Sequence, residues 1–301
     1  MKNVKRYLRR DWQLYMLMVL PLLFYLIFMY VPLYGLQIAF KKYKVALGIT
    51  ASPWIGLENF RNFFNSFYFS RLIRNTLILN IYFMIVGFPV PIILALLLDE
   101  VKSKWFKKTV QTATYAPYFV SVVVLASMIT NFVNPTYGII NQITGIFGIE
   151  AVNYLEEEQW FKTIHVVSTI WSTTGYNAII YISALGSVDT ELLEAASIDG
   201  ATRWQRLLHI KFPAVIPSAV MMFILNTGRM MNVGFEKVFL LQNQLNMNTS
   251  DVLSTYIYRA GIQNGEYGLA TAVGLFNSVI NIILILIVNK VSAKLTDNSL
   301  W

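Results

Sequence analysis

Glu194–Pro213 reads EAASIDGATRWQRLLHIKFP and joins two long apolar segments, Ile164–Leu185 and Phe212–Met231. Its residues predict a helix, a reversal and a second helix. Leu192, Leu193, Glu194, Ala195 and Ala196 are strong helix formers, and the small alanines let another surface approach closely. Gly200 permits a tight turn and close backbone contact. Asp199 is placed to cap the free amides of a second helix over 201–208. Pro213 is tolerated in the first turn of the apolar segment that follows. The pieces make a rigid two-helix lever attached to a membrane span.

Working outward, the chain of 301 residues is 56% hydrophobic and 13% charged, with a mean hydropathy of +0.52. That much apolar surface cannot be hidden inside soluble domains, so lipid is the solvent for most of it. A membrane helix needs about 20 apolar residues. Leu14–Phe40, Leu72–Leu98, Thr109–Val133, Ile164–Leu185, Phe212–Met231 and Leu269–Val288 meet that length, and none alternates as barrel strands do. The expectation is an all-α membrane protein with six transmembrane helices. The first segment is too long for a cleaved signal peptide and lacks a small-residue cleavage site. Pro21, Pro32, Pro89, Pro91, Pro117 and Pro217 interrupt the apolar segments, which a packed bundle tolerates by re-satisfying the freed backbone groups.

Basic residues stay on the cytoplasmic side. Lys2, Lys5, Arg6, Arg9 and Arg10 put the N-terminus there, and an even helix count returns the C-terminus to the same side. Lys102, Lys104, Lys107 and Lys108 fit the second loop inside, and Glu150, Glu156, Glu157 and Glu158 fit the next loop outside. Lys41, Lys42, Lys44, Arg61 and Arg71 dissent, because they fall in the first outer loop. The organisation expected is one transmembrane domain over 1–301. Residues 1–13 are a basic cytoplasmic N-terminus, 41–71 an outer interfacial segment, 187–211 a cytoplasmic loop and 232–268 an outer loop. The net charge of +8 fits anionic headgroups rather than nucleic acid. The absence of cysteine excludes disulfides and thiolate metal sites.

No GxxxxGK[ST] phosphate loop occurs, so the sequence offers no P-loop site for ATP hydrolysis. His165 and His209 stand alone, without metal-ligand spacing, and read as interfacial or structural. Nothing supports catalysis or a proton relay. A secondary transporter working alone is the alternative from another class, and the lack of an internal repeat weighs against it.

The Glu194–Pro213 stretch resembles the coupling loop of ABC importer permeases: Glu-Ala-Ala, two residues, Asp-Gly-Ala, then Leu207, Ile210, Phe212 and Pro213 at the family's apolar and proline positions. Leu207 and Phe212 stand where the family more often has phenylalanine and leucine. Leu20–Phe40, Ser52–Phe60, Arg74–Tyr82, Val233–Leu241, Ala270–Asn281 and the terminal Ser299-Leu300-Trp301 extend the resemblance over nearly the whole chain. It is to the sugar-type permeases related to the larger membrane subunit of the maltose importer, and within them to the lipoprotein-operon branch that serves complex oligosaccharides. The maltose subunit's extra helices and large periplasmic insertion are missing.

The resemblance implies a type I importer subunit in a multi-pass prokaryotic cell membrane location. It implies a second, distinct permease chain, two ABC ATPase subunits that bind ATP and magnesium, and an extracellular or periplasmic solute-binding protein that delivers a carbohydrate. This chain itself is expected to bind no cofactor or metal. Glu194, Ala195, Ala196, Asp199, Gly200, Ala201 and Arg203 are the expected ATPase-coupling residues. An ABC permease for a non-sugar solute is the nearer alternative. Amide and aromatic side chains suit a sugar's hydroxyls and ring faces, and the maltose subunit's contacts flank its coupling loop. That points to Trp171, Tyr176 and Asn177 before the loop, and to Asn226, Arg229 and Asn232 after it, the latter three at helical spacing.

Overall fold

The computed structural model describes residues 10–296 and Ser299. The basic residues Lys2, Lys5, Arg6 and Arg9, and the terminal Leu300 and Trp301, lie outside them. Among the described residues there is no strand, only an isolated bridge between Lys41 and Trp54. The main helices are α1 (Trp12–Tyr25), α2 (Phe69–Tyr82), α3 (Pro89–Glu100), α4 (Lys104–Tyr115), α5 (Val122–Phe132), α6 (Glu158–Gly186), α7 (Thr190–Ile198), α8 (Arg203–Arg206), α9 (Phe212–Thr227), α10 (Phe235–Leu241) and α11 (Tyr267–Thr296). The described residues form two compact units, one within 10–66 and 257–275, the other within 67–256 and 276–296.

Proline explains a recurring irregularity. The π-helical turns Leu26–Tyr30, Phe83–Gly87 and Leu207–Lys211 each end two residues before a proline: Pro32, Pro89 and Pro213. A proline ring clashes with the carbonyl four residues back, at a cost of about 3 kcal/mol in an undistorted helix. Opening the preceding turn to i→i−5 bonds, as from Phe88 N to Phe83 O at 3.1 Å, makes room without breaking the rod. Pro213 therefore restarts nothing: Arg203–Thr227 is one continuous helix.

Among the described residues, four helices are long and apolar enough to cross a membrane: Trp12–Phe40, Phe69–Glu100, Arg203–Thr227 and Tyr267–Lys294. The expected Thr109–Val133 span is instead two helices, Lys104–Phe119 and Val122–Phe132, bent by 105°. The expected Ile164–Leu185 span lies within the 29-residue α6. That helix is long enough but carries several hydroxyls, which stand outside the set of four for composition. They turn inward on their own helix: Thr169 Oγ1 donates to His165 O at 2.6 Å, Thr173 Oγ1 to Thr169 O at 2.8 Å and Thr174 Oγ1 to Ile170 O at 2.6 Å. So satisfied, they are compatible with an apolar surround.

In the first unit, the 39–59 stretch folds into a clasp. Lys41 Nζ donates to Ile49 O at 2.6 Å, and Asn59 Nδ2 donates to Ala39 O at 2.8 Å. Phe40 stacks on Trp54 at 5.5 Å. In the second unit, Arg71 pairs with the buried Asp251 at 3.0 Å. Two of the five basic residues that dissented from the inside rule are thus committed to internal bonds.

Apolar clusters form among the described residues of the second unit. One gathers Leu79, Leu125, Phe161 and Val238, the other Ala95, Ala178, Tyr181 and Val215. Gly175 of α6 meets the Thr114 carbonyl so closely that a Cβ has no room. The 243–251 stretch is stitched to α2 and α6 by polar bonds: Asn75 Nδ2 to Asp251 O at 3.0 Å, Asn246 Nδ2 to Leu155 O at 2.8 Å and Asn248 Nδ2 to Glu158 Oε1 at 2.6 Å. This part of the expected outer loop is a packed layer.

Candidate functional site

Two features occupy opposite ends of the Arg203–Thr227 rod. At the N-terminal end, Asp189 caps α7, its Oδ1 accepting from Glu191 N at 2.8 Å. Glu194, Ala195 and Ala196 lie within α7. Its C-terminus closes by a paired reversal in which Ala201 N donates to Ala196 O at 2.9 Å and Gly200 N to Ser197 O at 3.2 Å. This is the Schellman arrangement, and it requires the left-handed conformation Gly200 adopts, φ +81°. Asp199 ends the first helix and does not cap the second. That role falls to Thr202, whose hydroxyl accepts from Gln205 N while Gln205 Oε1 accepts from Thr202 N at 2.8 Å. The second helix starts at Arg203, two residues later than its composition suggested. The Thr-x-x-Gln spacing of a capping box was the signal for it.

A groove of about 350 Å³ runs between the two helices, lined by Ala196, Asp199, Gly200, Ala201, Gln205 and Arg206 among others. Ile198 and Trp204 are 86% and 66% exposed beside it. Lys211 anchors the rod to the end of α3, its amine 2.7 Å from Asp99 Oδ2 and 2.5 Å from Glu100 Oε1.

At the other end, α9 stops at Thr227 and Gly228 caps it. Arg229 and Asn232 lie in the irregular chain beyond, so the three candidates do not share a helical face. Asn226, Arg229 and Asn232 nonetheless line one cavity of about 220 Å³, together with Asn80, His165 and Thr169. No acidic side chain is among its lining residues. Asn232 Oδ1 accepts from Asn277 Nδ2 at 2.7 Å, and the buried Asn281 accepts from Met231 N at 2.9 Å. Behind the wall, the buried Lys237 of α10 donates to His165 O at 3.0 Å and Thr169 Oγ1 at 2.7 Å. Burial pushes its amine down to about 7.

The other three candidates are elsewhere. Trp171 borders a separate, apolar cavity of about 490 Å³ with Trp160, Tyr154 and Ile129. Tyr176 stacks on Tyr118 with ring centroids 3.8 Å apart. Asn177 is half-buried on α6 and does not line the polar cavity. To this cavity α6 contributes His165 and Thr169, earlier on the helix, with Lys237 of α10 bonded behind them. Their i, i+4 spacing on a hydroxyl-rich helix was legible, but which face met α9 was not.

The family model for the inner membrane component of binding-protein-dependent transport systems matches residues 67–297. The Bacillus subtilis protein LplB is 41% identical over 98% of this chain and 92% of its own length. The polygalacturonan/rhamnogalacturonan transport system permease YteP of the same organism is 39% identical over 95% of this chain and 89% of its own. A membrane chain from the crystal structure of a bacterial ABC transporter importing the acidic polysaccharide alginate superposes with a TM-score of 0.90. It is 38% identical and covers 98% of this chain and 99% of its own.

Proposed function

This chain belongs to the family of inner membrane components of binding-protein-dependent transport systems, and on that premise we propose that it is the permease subunit of an ATP-driven importer of acidic oligosaccharides. It is a multi-pass membrane protein with the type I importer permease fold. The observation that carries the reading is the continuity of Arg203–Thr227. One rod of about 37 Å has a two-helix element with exposed apolar residues at one end and a polar, cation-bearing cavity at the other. Such a rod transmits a displacement without dissipating it.

In this reading six segments cross the prokaryotic cell membrane, with both termini, the 1–13 segment and the 187–211 element in the cytoplasm. The bent Lys104–Phe132 pair and α6 supply the two crossings beyond the four continuous ones. Ile198 and Trp204, with Glu194, Ala195, Ala196, Asp199, Gly200, Ala201 and Arg203, dock on an ABC ATPase that binds ATP and magnesium. Two such subunits, a second and distinct permease chain and an external solute-binding protein complete the machine. The relatives named for polygalacturonan and alginate support a uronic-acid solute, since both polymers are chains of uronic acids. The cavity supports it independently, because Arg229 presents a planar fork suited to a carboxylate and no acid opposes it.

The test is uptake by proteoliposomes holding this chain with its partner permease, ATPase and binding protein. Oligogalacturonate should accumulate only with ATP and with every component present. Uptake by this chain without the ATPase would refute the reading in favour of a transporter working alone.

A further inference from the structure

The apolar cavity beside Trp171, about 490 Å³, is more than twice the volume of the polar one and takes no part in the reading above. It exists because two helices diverge. α6 packs along α4, its Gly175 against the Thr114 carbonyl, whereas α5 packs on α10 and leaves a gap to α6. The gap is walled by Ile129 and Phe132 of α5, by Ile140 of the short helix Ile139–Ile146, and by Ile164 and Val167 of α6. Among the described residues no charged side chain lines it. Two of its hydroxyls are spent on their own helices, Thr144 Oγ1 donating to Ile140 O at 3.1 Å and Ser168 Oγ to Ile164 O at 2.5 Å. A buried water needs two to four polar partners, so such a wall does not hold a file of them. Left unfilled, its lining atoms lack van der Waals partners on one side. The cavity is open, because Phe132 and Val167 in its wall are 42% and 55% exposed. The short helix also exposes Ile139, Ile143 and Ile146, so the opening sits in a continuous apolar surface of the kind that marks membrane contact.

Height and section decide what fits. On α6 the cavity runs from Trp160 to Trp171, which at 1.5 Å per residue is about 16 Å, and one leaflet of the hydrocarbon core is about 15 Å deep. Spread over that height, the volume gives a section of about 30 Å², against the roughly 80–110 Å² that an α-helix 10–12 Å across would need. A whole helix of a partner chain is therefore too wide to fill it, while a hydrocarbon chain one methylene across is not. The upper end suits a lipid's polar part. Tyr154 and Trp160 meet there edge to face, ring centroids 5.5 Å apart, near Glu158 at the start of α6, and such amphipathic rings mark headgroup level. We propose that this cavity binds one acyl chain of a membrane phospholipid, held between α5 and α6 in the leaflet that meets the start of α6. The inference needs α6 to cross the bilayer, as in the reading above, but not the identity of the solute. Its driving force is packing rather than transfer from water, because lipid tails are as apolar outside the cavity as within it. The chain supplies the packing between α5 and α6 that side chains leave open.

The test uses the complete complex in vesicles of phosphatidylethanolamine and phosphatidylglycerol that include a phosphatidylethanolamine with a diazirine midway along one acyl chain. Cross-links are mapped by peptide mass spectrometry before and after exchange into vesicles without the photoprobe. Bulk lipid leaves the exposed surface of α1 during exchange, so label on residues 160–171 should outlast label on 12–25 by about tenfold. Val167→Trp puts an indole in the opening, where the half-exposed valine leaves room for it. It should lower the retained label about tenfold and leave the labelling of α1 before exchange unchanged. Ile140→Trp, from the facing wall, replaces it if that complex does not assemble. Label that leaves α6 as fast as it leaves α1, or that the tryptophan does not reduce, overturns the proposal. So does an α6 that takes no label at any stage while α1 does, and a disulfide from Val167→Cys to a cysteine in the partner permease would then identify a protein occupant. Absence of ATP-driven uptake by the same complex would refute the importer reading and leave the lipid site standing, since the labelling needs no transport.

Discussion

The two ends of the Arg203–Thr227 rod are built in opposite ways. The N-terminal end is made from neighbours in sequence, its bonds running from Ala201 to Ala196, Gly200 to Ser197 and Gln205 to Thr202. The cavity end is assembled from three remote stretches, around Asn80, His165 and Asn226 to Asn232. A locally closed element keeps its shape wherever it is carried, which suits a lever. A cavity shared between helices changes shape when any of them shifts, which suits a solute path. The contrast predicts that damage at the first end is all-or-none, whereas damage at the second is graded and solute-specific.

The largest effect is expected from Gly200→Val. A Cβ at this position would meet nothing within 4 Å, so the cost is conformational. The left-handed φ of +81° disfavours an L residue by about 1–2 kcal/mol, and a β-branched one more. Transport should fall by more than tenfold and co-purification with the ATPase should be lost, while the chain still inserts in the membrane. Glu194→Lys should act in the same direction. Normal stimulated ATP hydrolysis in both variants would break the comparison at its first term.

Arg229 comes next. Arg229→Lys keeps the charge but loses the planar fork, so uptake of a free uronate should fall about as far as in Arg229→Ala, on the order of tenfold. The methyl ester should hardly be affected. Wild-type uptake by the lysine variant would make Arg229 a membrane anchor and remove the cation from the recognition set.

This asymmetry also decided what could be read from sequence. The helix reversal was legible because its signals lie within a few residues of each other: the helix-forming Leu-Leu-Glu-Ala-Ala run, and a glycine where the turn needs positive φ. Even there, Thr202 was passed over for Asp199, since both residue types cap helices and only geometry shows which amide is within reach. In the cavity, Asn226, Arg229 and Asn232 were found, though on the premise of a helix that in fact ends at Thr227. Trp171, Tyr176 and Asn177 lie outside that cavity and His165 and Thr169 line it, because sequence gives the composition of α6 and not the face that meets its neighbours. The bend of 105° after Phe119 was marked only by Pro117, one of several prolines that leave other helices straight enough to span.

A smaller effect is expected at the joint between rod and bundle. Lys211 is only partly shielded, so its pairing with Asp99 and Glu100 should contribute about 1 kcal/mol. Lys211→Met should leave assembly intact and reduce transport per ATP hydrolysed by about twofold to threefold. Lys211→Glu should be worse, with partial rescue by Asp99→Lys. Failure of the reversed pair to improve on Lys211→Glu would show that the ion pair carries no motion from the rod to α3.

The smallest functional effect, and the sharpest geometric one, is expected from single cysteines that leave transport near normal. The chain has none of its own, so each label reports one site. Asn246 is unsuitable because it is 0% exposed and bonded to Leu155 O and Leu241 O. Leu245 beside it is 60% exposed, and Leu245→Cys should tolerate a polar maleimide. At the other end, the exposed Glu191 lends only its backbone amide to the Asp189 cap, so Glu191→Cys should be equally benign. In intact cells the reagent should reach Leu245→Cys and spare Glu191→Cys until the membrane is opened. If both label from the same side, Arg203–Thr227 does not cross the bilayer. The lever and the cavity would then share one compartment, and the rod could not carry force between an ATPase inside and a solute arriving from outside.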